Sequence, residues 1–286
     1  MDVVYAIQTI ATPTLDSLMT LITDLGSEEA YIFMVIVAYL AIDARVGQKL
    51  GILLVTSFFI NQYAKGFFDT PRPFALDADV VRTQRALDGA GGAGFPSGHA
   101  QSSSTFWLYA AALIRRPWFW VLAAVLVVLV SFSRLYLGVH VPADIIGGLV
   151  IGVTLVLVAV ALDRSGLRIA NGLLVLAALA VPFTLHLVAP TPESDLLAGA
   201  LGALVLGPTL LRHRTDGPIP GRVLVALIGV GLAFTVLFAT SVYLPEDVKR
   251  DPVAGYLRYL SLGLAAFLLA PWVGRVFGLV PGASRR

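Results

Sequence analysis

Residues 117–162 read PWFWVLAAVLVVLVSFSRLYLGVHVPADIIGGLVIGVTLVLVAVAL. The stretch holds two continuous apolar runs, 117–137 and 143–162, joined by a short turn. A helix that spans a bilayer needs about 20 such residues, so each run is one crossing and the turn sends the chain straight back. A transmembrane β-barrel is excluded, because its strands alternate apolar and polar residues. The turn region carries Ser133, Arg134, His140 and Asp144. Ionisable groups at membrane depth are costly and mark function by default, so one segment announces both a fold class and a chemistry.

The rest of the chain follows suit. Of its 286 residues, 57% are hydrophobic and 13% charged, about half the share of roughly 25% found in ordinary soluble domains. Mean hydropathy is +0.84, and a water-soluble enzyme of this length could not cover so much apolar side chain. Apolar runs fall at 29–43, 49–64, 98–114, 117–137, 143–162, 168–189, 195–211, 222–244 and 255–280. The predicted fold class is therefore all-α, a polytopic membrane bundle of nine helices. Residues 1–28 are only moderately apolar, with Asp2, Asp16 and Asp24 and no Lys or Arg. They lack the positive start of a secretory signal and are expected to form an outer interfacial amphipathic segment. The chain has no cysteine, which rules out disulfides, thiolate metal sites and a cysteine nucleophile.

Lys and Arg concentrate in cytoplasmic loops of membrane proteins. Here they occupy alternate connections: Arg45 and Lys49; Arg115 and Arg116; Arg164 and Arg168; Arg212, Arg214 and Arg222; then Arg275, Arg285 and Arg286. Nine spans with the N-terminus outside and the C-terminus inside put all of these on one side, as expected for a plasma-membrane protein. Trp118, Trp120 and Trp272 lie near basic turns, where an interfacial aromatic belt belongs. Two connections on the opposite side are basic as well: 65–97, with Lys65, Arg72, Arg82 and Arg85, and the turn beside Arg134. Topology does not account for these, and a bound anion does.

Lys65 closes the second run, and Pro71 and Pro73 force an extended exit around Arg72. A lysine point charge and an arginine fork suit phosphate oxygens; the bland alternative is a pair of interfacial anchors. Pro96-Ser97-Gly98-His99 leads into the third run. Ser97 is placed as an N-cap, Gly98 lets the backbone approach a ligand, and the free N–H groups of the helix start form an anion site. His99 stands in that first turn. Pro142 opens the fifth run with Asp144 just inside it, within reach of His140. A carboxylate on one ring nitrogen sets the tautomer and leaves the other nitrogen as a lone-pair donor. Helix parity brings all three stretches to the outer surface. Three cations, two histidines, a carboxylate and a helix N-terminus describe a phosphoryl-transfer site whose charge is held without a metal. The residues alone leave open which histidine attacks.

These residues resemble the type 2 phosphatidic acid phosphatase superfamily, which shares its active-site fold with vanadium haloperoxidases. The family pattern is Lys, six residues, Arg-Pro; Pro-Ser-Gly-His; and Ser-Arg, five residues, His, three residues, Asp. It reads here as Lys65 to Arg72-Pro73, Pro96 to His99, and Ser133-Arg134 to His140 to Asp144. The resemblance covers residues 29–190, the family's six-helix core, and leaves 191–286 as an extension of about three transmembrane helices to which it is not expected to reach. It implies that His140 is the nucleophile, forming a phosphohistidine, that Asp144 orients it, and that His99 is the general acid. It further implies that Lys65, Arg72, Arg134, Ser97 and the Gly98 backbone hold the phosphoryl group, that no metal or other cofactor takes part, and that the partner is a membrane lipid substrate rather than nucleic acid. Polyprenyl diphosphates, phosphatidic acid and phosphatidylglycerol phosphate fit this reading. A phosphotransferase on the same site and a non-catalytic anionic-lipid transporter are the alternatives; two histidines with a paired Asp speak against the second. Elsewhere, Gly148 and Gly152 have the spacing of a close helix contact, His186 reads as a satisfied or interfacial histidine, and His213 lies among Arg212 and Arg214, far from the site.

Overall fold

A computed structural model describes the chain except for residues 168, 169, 192 and 282–286. Arg168, Arg285 and Arg286, counted above among the basic ends, lie outside the described residues. The chain is helical with no strand among the described residues, and each of the nine apolar runs is occupied by helix. In order, these are α1 (Asp2–Gln8), α2 (Pro13–Asp24), α3 (Glu28–Val37, continuing as a π-helical turn Ala38–Ile42), α4 (Ala44–Phe68), α5 (Pro73–Leu76) and α6 (Gln84–Asp88). There follow α7 (Gly98–Ile114), α8 (Pro117–Tyr136), α9 (Pro142–Ser165), α10 (Asn171–Val188), α11 (Ser194–Leu210) and α12 (Ile219–Tyr243). The last are α13 (Glu246–Arg250), α14 (Pro252–Leu264, then a π-helical turn Ala265–Leu269) and α15 (Ala270–Val276).

By length and hydropathy, α8, α9, α10, α12 and the α14–α15 rod are each able to cross a membrane, and α2 with α3, bent by 49°, makes a sixth if taken as one span. The molecule is a polytopic helical membrane bundle. Of the other apolar helices, α7 and α11 have 17 residues each, and α4 carries polar residues, of which Ser57 and Asn61 are buried.

The chain divides into two compact units: Met1–Tyr31 with Ser57–Gly166, and Ile32–Thr56 with Leu167–Arg286. In the first, α7 packs between α8 and α9. The predicted glycine pair is the α7–α9 contact. A Cβ on Gly148 would sit 2.5 Å from the Ser97 carbonyl oxygen, and one on Gly152 would sit 2.0 Å from Ser104 Oγ. A polar seam ties α4 to α7: Gln101 Nε2 donates to Ser57 O (2.8 Å) and Ser57 Oγ (2.9 Å), Asn61 Nδ2 donates to Gln101 Oε1 (2.8 Å), and Ser57 and Thr105 share a hydroxyl bond of 3.2 Å. Buried polar groups need partners, and these satisfy one another.

Helix ends follow from local chemistry. Ser97 caps α7 through its hydroxyl, Arg115 ends that helix in the left-handed conformation, and Pro117 and Pro142 open α8 and α9. Gly138 turns the chain at φ +75°, where a Cβ would lie 1.9 Å from the Val80 carbonyl oxygen, so only glycine fits. Around it, Met19, Ala86, Ala90, Tyr136, Leu137 and Val139 form a buried apolar cluster. That cluster pins the 78–90 connection and α2 beneath the α8–α9 turn.

In the second unit, α11 packs on α10 and α14, and α12 packs on the two π-helical turns. His186 is buried and satisfied, with Nδ1 at 2.7 Å from Ser194 Oγ and Nε2 at 3.1 Å from Pro252 O. That agrees with its sequence reading.

Candidate active site

His140 occupies the turn between α8 and α9 and is 1% exposed. Its Nδ1 donates to Asp144 Oδ2 at 3.1 Å, and the same carboxylate oxygen accepts the Val141 backbone N–H at 3.0 Å. Asp144 therefore caps its own helix and orients the histidine in one stroke. Its carbonyl oxygen accepts the Ser97 N–H at 3.0 Å, tying the start of α9 to the cap of α7. With Nδ1 carrying the proton, Nε2 holds the lone pair, and Arg72 Nη1 donates to it at 3.2 Å. Burial pushes the His140 imidazole well below its ordinary range, and the charges of Arg72, Arg134 and Lys65 push it further. A neutral ring with a bare Nε2 is the nucleophilic form.

Arg72 is held by the chain around it. Nε donates to Gly92 O (2.9 Å), Nη1 to Val139 O (3.2 Å) and Nη2 to Gly91 O (2.5 Å). Burial lowers its guanidinium to about 10, which leaves it protonated at neutral pH. Arg134, in the last turn of α8, is 1% exposed. Its Nη1 donates to Thr23 Oγ1 at 2.8 Å, while the buried Nε and Nη2 have no hydrogen-bond partner. Buried donors left unpaired cost roughly 1–3 kcal/mol each, so this guanidinium has two groups able to take an acceptor.

His99 sits half-buried in the first turn of α7, within electrostatic reach of Arg134, His140, Lys65 and Arg72. Lys65 stands in the last turn of α4, one turn beyond Asn61. Ser97 is fully buried, and Thr70 holds the segment before it by accepting from Gly94 N and Phe95 N, each at 2.8 Å. At Gly98 a Cβ would lie 3.2 Å from Asn61 Oδ1, so this glycine makes room for a neighbouring side chain. The eight residues picked out from the sequence belong to one unit, and hydrogen bonds or mutual electrostatics link His140, Asp144, Arg72, Arg134, His99, Lys65 and Ser97. Among the described residues no three His, Asp or Glu side chains gather as a metal cluster.

Sequence reading missed what lies behind these groups. Ser57, Asn61 and Lys65 recur every fourth residue in an apolar run, a readable sign of a polar helix face. Thr23 and Gly26 gave no such sign, since only the fold brings α2 to Arg134 and places Gly26 beside His99 Cδ2. The other cations of the 65–97 connection are held in ion pairs: Arg82 pairs with Asp16 (3.0 Å), which also accepts from Tyr136 Oη (2.6 Å), and Arg85 pairs with Asp24 (2.9 Å).

A helical membrane bundle with a carboxylate-oriented histidine facing a buried arginine has the groups that phosphoryl transfer requires. Residues 47–165 match the family described as PAP2 superfamily, and 195–285 match the family described as PAP2 superfamily phosphatase, transmembrane extension. The undecaprenyl-diphosphatase of Sulfolobus acidocaldarius is 34% identical over 159 residues, 54% of this chain and 73% of that one. Mouse sphingosine-1-phosphate phosphatase 2 is 31% identical over 171 residues, covering 56% of this chain and 47% of that one. A crystal structure of the transmembrane PAP2-type phosphatidylglycerolphosphate phosphatase from Bacillus subtilis superposes with a TM-score of 0.50 at 24% identity, over 59% of this chain and 86% of that one. The chain belongs to the PAP2 superfamily and is a membrane lipid phosphatase of that family. The expectation that the resemblance stops before residue 191 is corrected, because the C-terminal helices match a described extension of PAP2 phosphatases.

Proposed function

We propose that the protein hydrolyses a lipid phosphate or diphosphate at the outer face of the plasma membrane, through a phosphohistidine and without a metal ion. The observation that carries this is the chain of contacts Asp144–His140–Arg72, which turns Nε2 of a neutral, buried histidine toward a guanidinium. Nε2 attacks phosphorus in line with the leaving oxygen, and the P–O bond to the lipid breaks. His99 gives that oxygen a proton. The resulting N–P bond is then broken by a water whose proton His99 takes back, releasing orthophosphate and restoring His140. Developing charge on the phosphoryl oxygens is met by Lys65, Arg72, the unpaired N–H groups of Arg134 and the helix N-terminus at Ser97–Gly98.

The outer placement rests on the basic connections at the opposite helix ends. The lipid substrate is supported by the apolar helix surfaces around the site and by the named activities of the two relatives, one acting on undecaprenyl diphosphate and one on sphingosine 1-phosphate. Purified protein in detergent is expected to release phosphate from farnesyl diphosphate or phosphatidic acid in excess EDTA, and His140→Ala and His99→Ala are each expected to abolish turnover. Activity that vanishes with EDTA and returns with Mg²⁺, or survives in His140→Ala, would overturn the reading.

A further inference from the structure

The second unit holds a cavity of about 1490 Å³ that no part of the chemistry above uses. Its polar lining includes Arg45 and Gln48 on α4, Arg212, His213 and Arg214 after α11, with Arg214 paired to Asp216, and Thr56, Asn171 and Thr209. Ile52, Val181 and Leu201 are among its apolar lining. Binding pockets for small ligands run to roughly 300–1,000 Å³, so this space is ample for a headgroup and the upper part of its chains.

One residue shows that the space is more than loose packing. His213 is 8% exposed, and its Nε2 donates to Leu40 O at 2.9 Å, on the π-helical turn after α3. That bond places the ring proton on Nε2 and makes Nδ1 an acceptor. Nδ1 is buried and has no partner. Burial and the nearby Arg275 charge hold the imidazole below its ordinary range, so the ring is neutral. The Leu40 carbonyl explains one ring nitrogen of His213 and leaves the other unaccounted for. An amphiphile with a phosphate for the arginines of the lining and a hydroxyl for Nδ1 would supply that partner.

We infer that this cavity is a second binding site for a phosphate-bearing ligand with a hydroxyl donor, the phosphate at Arg45 and Arg212 and the hydroxyl on His213 Nδ1. Its apolar walls favour a phospholipid as the source, with free orthophosphate as the other. None of its lining residues belongs to the phosphatase site, whose residues all lie in the first unit.

The test uses full-length protein, delipidated in detergent and followed by native mass spectrometry. The probes are phosphatidylglycerol, phosphatidylmethanol (equal charge, no hydroxyl), phosphatidylcholine and inorganic phosphate, each added alone to the protein and to R45Q/R212Q and H213F. A His140→Ala background keeps lipid from turning over. Phosphatidylglycerol is expected to give a one-to-one adduct that R45Q/R212Q weakens about tenfold or more, the scale of a lost charged hydrogen bond. H213F is expected to remove the preference for phosphatidylglycerol over phosphatidylmethanol while leaving the charge-dependent binding. In a competition run, equal displacement of phosphatidylglycerol by millimolar inorganic phosphate would support the anion site and assign it to the free ion. Adducts unchanged in R45Q/R212Q, or phosphatidylcholine bound as well as phosphatidylglycerol, would overturn the inference. Both sets of substitutions made in the His140 enzyme should leave phosphate release within about twofold, which certifies the fold independently of lipid binding.

Discussion

Arg134 is the residue on which local chemistry and long-range folding meet. Its place in the α8–α9 turn is written in sequence, but its partner Thr23 lies 111 residues away on α2. Thr23 takes one guanidinium N–H and leaves the other buried donors aimed elsewhere, so it acts as a positioning residue. Thr23→Val should lower kcat/KM about tenfold, consistent with about 1.5–3 kcal/mol for a hydrogen bond to a charged group. Thr23→Ser should restore it, since the hydroxyl is what Arg134 uses. A Thr23→Ser variant as impaired as Thr23→Val would mean the threonine matters only for packing. His140, Asp144 and Arg72 were legible because their spacing is local or punctuated by proline. Thr23 was not, because a lone threonine in a helix of ordinary composition carries no sign of what will face it.

Among elements, the contact of α7 with α9 decides whether the site forms. Ser97 caps α7, donates its N–H to the Asp144 carbonyl, and presents its own carbonyl oxygen to the missing side chain of Gly148. A methyl group there meets backbone at 2.5 Å, so α9, which carries Asp144, must move away from the start of α7, which carries Ser97 and His99. Gly148→Ala should therefore lower thermal stability by about 1–3 kcal/mol, the range for overpacking, and reduce kcat with it. Gly172→Ala, at a helical position with nothing within 4 Å, is the control and should be neutral or mildly stabilising in a melting experiment. The glycine spacing was visible beforehand. The polar seam of Ser57, Asn61 and Gln101 was not recognised, since hydropathy averages a helix and hides which face its polar residues share.

For the whole molecule, the apolar runs are occupied by helix among the described residues, but five of these helices, or six with the bent α2–α3 pair, are long and apolar enough to cross a membrane, fewer than the nine expected. Long apolar stretches leave little choice but helix when backbone polar groups must be satisfied inside lipid. The sidedness comes from charge instead. The Cys-free chain allows a direct measurement: Asp88→Cys, on the exposed end of α6, should react with a membrane-impermeant maleimide added outside intact cells. Labelling only after the membrane is opened would place the site on the cytoplasmic side. On this proposal the scarce charge of the chain divides by task, with Lys65, Arg72 and Arg134 assigned to the cradle, Arg82 and Arg85 in ion pairs, and the basic helix ends assigned to orientation.

The covalent intermediate tests the account most directly. Rapid quenching in alkali of enzyme mixed with a lipid phosphate labelled with ³²P should trap label on the protein that survives base and is lost in acid, as an N–P bond is. Peptide mapping should place it on His140, with none in His140→Ala and with accumulation in His99→Ala when the leaving group needs no proton. Turnover with no trapped label, or label on His99, would contradict the mechanism.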